Sequence, residues 1–372
     1  MPGKLKQFRP RRLTPEEGCR AAEEILRMPL AERGGRNTDS LLGDPETLLP
    51  LLEALRKQLD SSPRLALEEA DFLYAFLERT DSSYPTSAFL LDEREYFLGE
   101  AARIAGTSCR HLSLREEARR WFDLSELWFL RTENASGNLA KVNYQRLALR
   151  TEERDFTAVD LLVPGLIAAF ERLGMAEDAI KGRFLRAAVL KETDRLDDAI
   201  AVYKQAIQDA TDLRNDTLIA AGRVNLVQLY AMNGSVASAF EQAEEAAPLL
   251  RRTGNQIAIA KLYWGVGFLM RSRGSVAKAV ESYRTSQLEF SSLGMRADVA
   301  AVHLVIADLL LDAGQDRQAE WEIRQALPII DEYKLVPEGF AALSLLRESL
   351  RRQKIDRQAL RNLHGYFEEL SS

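Results

Sequence analysis

Small and apolar positions recur along the second half of the chain at a fixed interval. Five segments align so that one alanine falls in register in each of them. These alanines are Ala199, Ala239, Ala279, Ala319 and Ala359, and the interval is forty residues each time. Mostly apolar residues follow each alanine at spacings of four and seven, which place them on one helix face. The pattern predicts a tandem repeat with one amphipathic helix in each copy.

Turn signals divide each copy into two helices. A residue that tolerates left-handed backbone precedes the alanine by five positions, as in Asp194, Gly234, Gly274 and Gly314. Connectors such as the one that begins at Leu293 recur at the same step of forty residues. Each copy therefore predicts two antiparallel helices joined by a tight turn. Because one pair cannot bury its own apolar face, neighbouring pairs must stack.

Weaker copies extend the repeat toward the N-terminus. Ala118 and Ala158 are forty residues apart, whereas the step from Ala158 to Ala199 is one residue longer. About six to seven repeats are therefore predicted. Before them, three amphipathic segments predict three more helices, with helix starts at Thr14 and Asp44.

These patterns divide the chain into four predicted regions. Residues 1–13 are a basic tail predicted to be disordered, 14–90 an N-terminal helical cap or degenerate repeats, 91–333 the repeat array, and 334–372 the last degenerate repeat with a C-terminal cap. A polar outer face at both ends is what a stacked array needs to stay in water.

The composition fits an ordered, all-α protein. Hydrophobic residues make up 46% and charged residues 28% of the 372 residues, which include only 12 Pro and 21 Gly. Ala, Leu, Glu and Arg dominate, and these residues favour helix. Segments rich in Val, Ile and Thr with a two-residue alternation are missing, so the sequence offers nothing from which to build a sheet.

The net charge of −6 at pH 7 argues against direct nucleic-acid binding, since such domains present an excess of Lys and Arg to the phosphates. No apolar run is long enough to span a membrane, and the first residues lack the apolar segment of a secretory signal. We therefore expect a cytoplasmic protein without a membrane association. Cys19 and Cys109 lack Cys or His companions, so each is predicted to be a small buried residue.

One repeat resembles a known family. Its residues Tyr263, Val266, Gly267 and Met270 are spaced like the Trp-x2-Leu-Gly-x2-Tyr signature of tetratricopeptide repeats, and Ala279 with Tyr283 matches the later Ala-x3-Phe. The period of forty departs from the thirty-four of the family, and Arg251 and Ser291 stand where its final Pro is expected. The sequence is similar to the long-repeat branch that includes kinesin-light-chain-like and bacterial peptide-sensing arrays. The resemblance implies a right-handed superhelical solenoid.

Sequence motifs for catalysis, metal binding and cofactor binding are missing. His111, His303 and His364 lie in different repeats and form no HExxH pattern, and no Gly-rich phosphate loop or nucleophile elbow occurs. We therefore predict a protein that is not an enzyme and that holds no metal or cofactor. A catalytic alternative requires a tight cluster of perturbed acids, bases or metal ligands in the groove. Convergence of His303 and Asp308 with another ionisable group would support it, although their spacing of five predicts different helix faces.

The resemblance implies a concave groove lined by the first helix of each pair. Candidate groove residues are Arg183, Arg186, Asn225, Gln228, Lys261, Trp264, Phe268, Arg271 and Asp308. Related arrays use an Asn at the position of Asn225 to hold a peptide backbone, since an amide both donates and accepts hydrogen bonds. Two alternatives stay open: Trp264 and Phe268 pack against the next repeat, and the Arg and Lys residues form solvated salt bridges.

The leading functional interpretation is a non-catalytic scaffold or adaptor that binds a protein or peptide partner in this groove. The alternative is a bacterial peptide-sensing regulator that controls a signalling, DNA-binding or effector partner by changing the conformation of the superhelix. The alternative predicts that the protein becomes more compact with ligand, whereas a passive adaptor keeps one shape. The sequence identifies neither the partner nor the oligomeric state.

Overall fold

The computed structural model describes residues 12–33, 39, 41–80, 93–333, 342–343, 346–347, 349–350 and 355–371. Sixteen α-helices and no strand are found in these residues, which confirms the predicted all-α class. In chain order they are α1 (Pro15–Arg27), α2 (Pro45–Gln58), α3 (Pro63–Arg79), α4 (Arg94–His111), α5 (Arg115–Phe129), α6 (Ser136–Glu152), α7 (Phe156–Arg172), α8 (Ala176–Glu192), α9 (Leu196–Asp212), α10 (Asp216–Met232), α11 (Val236–Thr253), α12 (Gln256–Ser272), α13 (Val276–Ser292), α14 (Arg296–Asp312), α15 (Asp316–Ile330) and α16 (Arg357–Ser371).

The chain forms two compact units. The first comprises the described residues up to Leu59, together with Leu65–Ser108 and Glu116–Leu139. The second comprises Asp60–Arg64, Cys109–Arg115 and the described residues from Ala140 onward. Of the predicted basic tail, residues 1–11 lie outside the described part of the chain, as do residues 81–92 and 334–341.

The first unit begins with the three predicted helices, α1, α2 and α3. The Thr14 side chain accepts a hydrogen bond from the backbone N–H of Glu17, and the Glu17 carboxylate accepts one from the backbone N–H of Thr14, which confirms the predicted helix start. Asp44 caps α2 through the N–H of Glu46 at 2.9 Å. Leucines of α2, such as Leu52 and Leu55, are fully buried in the core of this unit.

The second unit repeats with a step of twenty residues for each helix. From α7 to α15, helices begin at residues 156, 176, 196, 216, 236, 256, 276, 296 and 316. The predicted turn residues Asp194, Gly234, Gly274 and Gly314 have φ angles of 59°, 72°, 72° and 71°. This left-handed backbone ends one helix and starts the next within three residues, so the predicted helix pairs are confirmed. In each pair we call the even-numbered helix the first helix and the odd-numbered helix the second.

The predicted register of one repeat is wrong. Val159, and not Ala158, occupies the position equivalent to Ala199, because α7 and α9 begin exactly one forty-residue step apart. Val159 is fully buried, whereas Ala158 is half-buried. The additional residue therefore lies between α5 and α7. The sequence pattern favoured alanine at this position, but the space between these helices accepts a larger β-branched side chain.

Small residues allow the two helices of a pair to cross closely. Ala199, Ala239, Ala279 and Ala319 are all fully buried. At Gly267 a Cβ atom would lie 2.7 Å from the Tyr283 ring, so only glycine permits this contact. The small positions in the sequence pattern therefore mark the sites of closest helix contact.

The two cysteines differ in their surroundings. Cys109 is buried, as predicted. The prediction for Cys19 is wrong, because this residue is exposed. The buried face of its helix α1 carries Gly18, Ala21, Ala22 and Ile25, and Cys19 lies at the edge of that face. Among the described helices, none is long and apolar enough to cross a membrane.

A buried ion pair in the first unit gives a test of its packing. The side chains of Arg33 and Glu69 are only 3% and 5% exposed, and Arg33 Nη2 donates to Glu69 Oε1 at 2.8 Å. We expect Arg33→Met to lower the free energy of unfolding by about 3–5 kcal/mol, because a buried carboxylate loses its partner. Denaturant unfolding of the full chain measures this value.

A matched control is Arg27→Met, since Arg27 forms an exposed pair with Glu23 and its loss should leave the free energy of unfolding nearly unchanged. The double variant Arg33→Met/Glu69→Leu should recover most of the loss. Equal effects of the two Arg→Met substitutions would contradict the assigned role of the buried pair.

Candidate functional site

A pocket of about 90 Å³ lies among helices of four consecutive repeats in the second unit. It is lined by Ala188 and Lys191 of α8, Tyr203 of α9, Val224, Asn225, Gln228 and Leu229 of α10, Lys261 and Trp264 of α12, Phe290 of α13, and Asp298 of α14. First helices supply most of this lining. Two amides, three charged groups and three aromatic rings therefore face one small space that is otherwise apolar.

Four of the nine predicted groove residues line this pocket. They are Asn225, Gln228, Lys261 and Trp264. Asn225 and Gln228 are three residues apart on α10, as are Lys261 and Trp264 on α12, so each pair shares one helix face. Stacking of successive first helices brings the two faces together.

The other five predicted residues lie elsewhere. Arg183 pairs with Glu171 at 2.5 Å and with Asp209 at 3.3 Å. Arg186 is exposed, and Phe268 packs against a core shared by α8, α9, α10 and α11. For Arg183, the alternative of a salt bridge describes the observed contacts.

Arg271 and Asp308 belong to an ion-pair network that joins α12, α14 and α16. Asp308 accepts hydrogen bonds from Arg271 at 2.5 Å and from Arg361 at 2.9 Å. Burial alone would raise the pKa of Asp308, but the hydrogen bonds and charges of the two arginines outweigh it and hold this pKa below its ordinary value. The network fastens the C-terminal helix to the array.

The charged ammonium group of Lys261 lies in a partly buried position. Burial lowers the pKa of its ammonium group, and the nearby carboxylate of Asp298 partly offsets this effect. Asp298 itself is 1% exposed. A lysine with a lowered pKa in a pocket is typical of functional sites, where polar groups are held ready for a ligand.

The amide of Asn225 is held in place by its own helix. Its Nδ2 donates to the carbonyl oxygen of Ala221 at 3.0 Å. This bond uses one of the two amide hydrogens and orients the side chain, so the second hydrogen and the amide oxygen can serve a ligand. Gln228 stands one turn further along the same helix.

Trp264 combines packing with exposure to the pocket. Its ring meets Tyr283 edge-on with centroids 5.5 Å apart and stacks on His364 at 6.1 Å. The predicted alternative is that Trp264 packs against the next repeat, whereas its contact with Tyr283 lies within the same repeat. The same ring lines the pocket, and its packing fixes the orientation of the surface that a ligand would meet.

Sequence reasoning missed Lys191, Tyr203, Phe290 and Asp298. Asp298 is an acidic residue near the start of α14, a helix whose residues are almost all buried. An acidic residue among the apolar residues of such a helix is uncommon and is a signal of a special role. Tyr203 and Phe290 lie on second helices, whereas the predicted groove was lined by first helices.

The arrangement required by the catalytic alternative is not seen around His303. Its Nδ1 lies 2.7 Å from Glu322 Oε2, and Gln287 Nε2 lies 2.6 Å from its Nε2. Asp308 instead contacts Arg271 and Arg361. Within the described residues, no group of three His, Cys, Asp or Glu side chains is placed to hold a metal ion.

Comparison with known proteins gives no match to any family model or to any curated protein. Solved structures do match. A Rap protein complexed with Competence and Sporulation Factor gives a TM-score of 0.61 at 10% identity, over 89% of this chain and 89% of that chain. Aspartyl phosphate phosphatase F from Bacillus subtilis gives 0.52 at 10% identity, over 83% of this chain and 79% of that chain.

The chain has a tetratricopeptide-like fold. The close crossing of Gly267 with Tyr283 reproduces the role of small residues in that repeat. At 10% identity the two matches show the fold of the tetratricopeptide-like array and carry no information on its ligand.

The network around Asp308 gives a test that depends on pH. Because its pKa is lower in the folded than in the unfolded protein, the carboxylate stabilises the fold above about pH 4, and this contribution is lost as the pH falls through the folded-state pKa. We expect Asp308→Asn to cost about 1.5–3 kcal/mol at pH 7, with a smaller cost near pH 3. Denaturant unfolding across this range measures the difference. The exposed Asp71→Asn serves as control, and a cost for Asp308→Asn that does not change with pH would refute the assignment.

The ammonium group of Lys261 gives a direct test of the pocket electrostatics. We expect it to titrate below the ordinary lysine value, because burial disfavours its charged form. NMR titration of ¹³C-dimethylated lysines measures this pKa, with Lys261→Arg used to assign the resonance. Asp298→Asn should lower the pKa of Lys261 further, since it removes the favourable anion. A Lys261 signal that titrates at or above the ordinary lysine value would show that the charge is not buried.

Proposed function

We propose that this tetratricopeptide-like array is a non-catalytic adaptor that binds an extended segment of a protein or peptide partner at the pocket around Asn225 and Lys261. The observation that carries the proposal is the convergence of amides, an aromatic ring and charged groups from four consecutive repeats on one space. Packing alone requires none of the polar groups.

The two amides suit a peptide backbone. An extended chain presents N–H and C=O groups that need partners when they leave water, and an amide side chain can pair with both. Asn225 is already oriented by its bond to Ala221. A held amide loses less conformational entropy when a ligand binds than a free one does.

Trp264 and the apolar residues beside it suit an anchoring side chain. Trp264 is fixed by Tyr283 and His364, and Val224 and Leu229 add apolar surface. Aromatic residues in fixed positions supply much of the affinity at protein interfaces. An apolar side chain of the bound segment would therefore enter this part of the pocket.

The charges favour a ligand without a strong net charge. Lys261 faces Asp298, and Lys191 lies 2.8 Å from Glu192, so positive and negative groups are balanced. Such an arrangement selects by the direction of hydrogen bonds more than by overall attraction. The Rap protein of similar fold is complexed with Competence and Sporulation Factor, so an array of this fold can hold a bound partner.

Site-specific photo-cross-linking tests the proposal. A photoreactive amino acid at Ala188, which lines the pocket, should capture a polypeptide from an extract of the source cells. The same group at Ala201, an exposed residue on the second helix α9, serves as control. Adducts should form only from residue 188.

The captured segment can then be synthesised and its affinity measured by calorimetry. Asn225→Ala should weaken binding about tenfold, as expected for the loss of a hydrogen bond, and Gln208→Ala on the exposed face of α9 should not change it. Identical adducts from both positions, or a binding constant that Asn225→Ala leaves unchanged, would exclude the pocket as the binding site.

A peptide-sensing regulator is the second candidate, and the span of the pocket favours it. Because residues of α8, α10, α12 and α14 share the site, a ligand would contact four repeats at once and bias their relative packing. Small-angle scattering with and without the captured segment separates the two candidates. A decrease in the radius of gyration supports the regulator, and an unchanged radius supports the passive adaptor.

A further inference from the structure

The second helix α7 has an apolar outer face. Leu161 is 79% exposed, the highest value among the large hydrophobic residues of the described chain, and Leu162 is 47% exposed. Gly165 is also exposed, and Ala158 and Ala169 are half-buried. Spacings of three and four residues place Ala158, Leu162, Gly165 and Ala169 in one row along the helix.

The equivalent rows of the neighbouring second helices are polar. In α9, forty residues after the α7 row, the equivalent positions hold Asp198, Val202, Gln205 and Asp209. In α13, eighty residues after those of α9, they hold Lys278, Ser282, Thr285 and Glu289. The apolar row is therefore not a requirement of the repeat. It belongs to α7 alone among these three helices, and an exposed apolar surface of this kind marks an interaction site.

Gly165 points to close contact with another helix. A Cβ atom at this position would meet no heavy atom within 4 Å, and the residue lies inside a helix. Neither internal packing nor backbone conformation requires glycine here, and glycine weakens a helix. A helix that packs over this position from outside would explain its small size.

We propose that a second copy of this chain covers the row, with the two α7 helices antiparallel about a two-fold axis between Leu162 and Gly165. In that register Leu162 of each copy lies over Gly165 of the other, and Ala158 lies beside Ala169. The large side chain of one helix thus fills the space left by the small residue of the other. Knob-into-hole packing of this kind matches alternating spacings of three and four.

The charged residues beyond the two ends of the row are complementary to the same residues of a second, antiparallel copy. Asp155 precedes the N-terminus of α7 and Arg172 ends it, and both are exposed. In the antiparallel register Asp155 of one copy meets Arg172 of the other, twice across the axis. A parallel arrangement would place like charges together, so the charges select the two-fold arrangement.

The self-complementary pattern favours a second copy over an unrelated partner. In an isologous contact, a residue and its mate must suit each other in both directions. Two pairs of the row, large with small and small with small, meet this condition, and so does the pair of acid and base beyond its ends. The surface also lies on α7, which supplies none of the residues that line the pocket, so the two are distinct.

Sedimentation velocity of the full chain tests the proposal. We expect the protein to shift from monomer to dimer as its concentration rises from about 1 to about 200 µM. This is the range of weak association that a small interface gives. Gly165→Leu should raise the dissociation constant at least about tenfold, since it fills the position that receives Leu162. The new Cβ atom points into open space and the substitution removes a glycine that weakens the helix, so the monomer should keep its circular dichroism and its melting temperature should not fall.

Leu162→Asp should also weaken the dimer, whereas Ala201→Asp adds the same charge at an exposed position of α9 and should not. The register has its own readout. In a Cys19→Ser background and under mild oxidation by dissolved oxygen, a mixture of the Leu162→Cys and Gly165→Cys proteins should form disulfide-linked dimers. This cross-linking should be faster than that of either protein alone. A monomer at every concentration, or a dimer that persists in both the Gly165→Leu and Leu162→Asp variants, would overturn the proposal.

Discussion

The repeat array depends on one steric constraint, which is the close crossing of two helices in each pair. Ala199, Ala239, Ala279 and Ala319 are fully buried at this crossing, and Gly267 touches the ring of Tyr283. A small residue brings the backbones together, so side chains from the next pair can interdigitate and exclude water. Left-handed turns then repeat the geometry every twenty residues. The first helices come to lie side by side, and groups that are forty residues apart in sequence face a common pocket.

This constraint explains why much of the fold could be predicted. Local backbone geometry restricts the residue type at turns and at helix crossings, as at Gly274 and Ala279. The spacing of these residues can therefore be recognised in a single sequence. The register at Val159 was missed because a buried position can accept different volumes when the neighbouring helices adjust. Cys19 was misplaced because its residue type carries a preference for burial, whereas its helix face decides the outcome.

The candidate site could be predicted in part, for a related reason. The repeat spacing alone was enough to predict that four residues of the first helices share one groove. These residues are Asn225, Gln228, Lys261 and Trp264. Asp298 was missed because its relation to Lys261 depends on the packing of two successive repeats. Arg271 and Asp308 have the right spacing for the groove but meet Arg361 of the C-terminal helix. A contact between distant segments of this kind leaves no periodic signal.

The pocket and the outer row of α7 show how one repeat geometry supports two surfaces. Burying Lys261 costs solvation energy, and Asp298 offsets only part of it, so the local polarity is not explained by stability. Exposing Leu161 and placing Gly165 inside a helix are likewise unfavourable for an isolated chain. Both unfavourable features lie at positions where the repeat pattern does not restrict the residue type. Lys261 is on a first helix, and Leu161 and Gly165 are on a second helix. Since neither position is needed for the helix crossing, each surface can change without disturbing the packing that holds the array together.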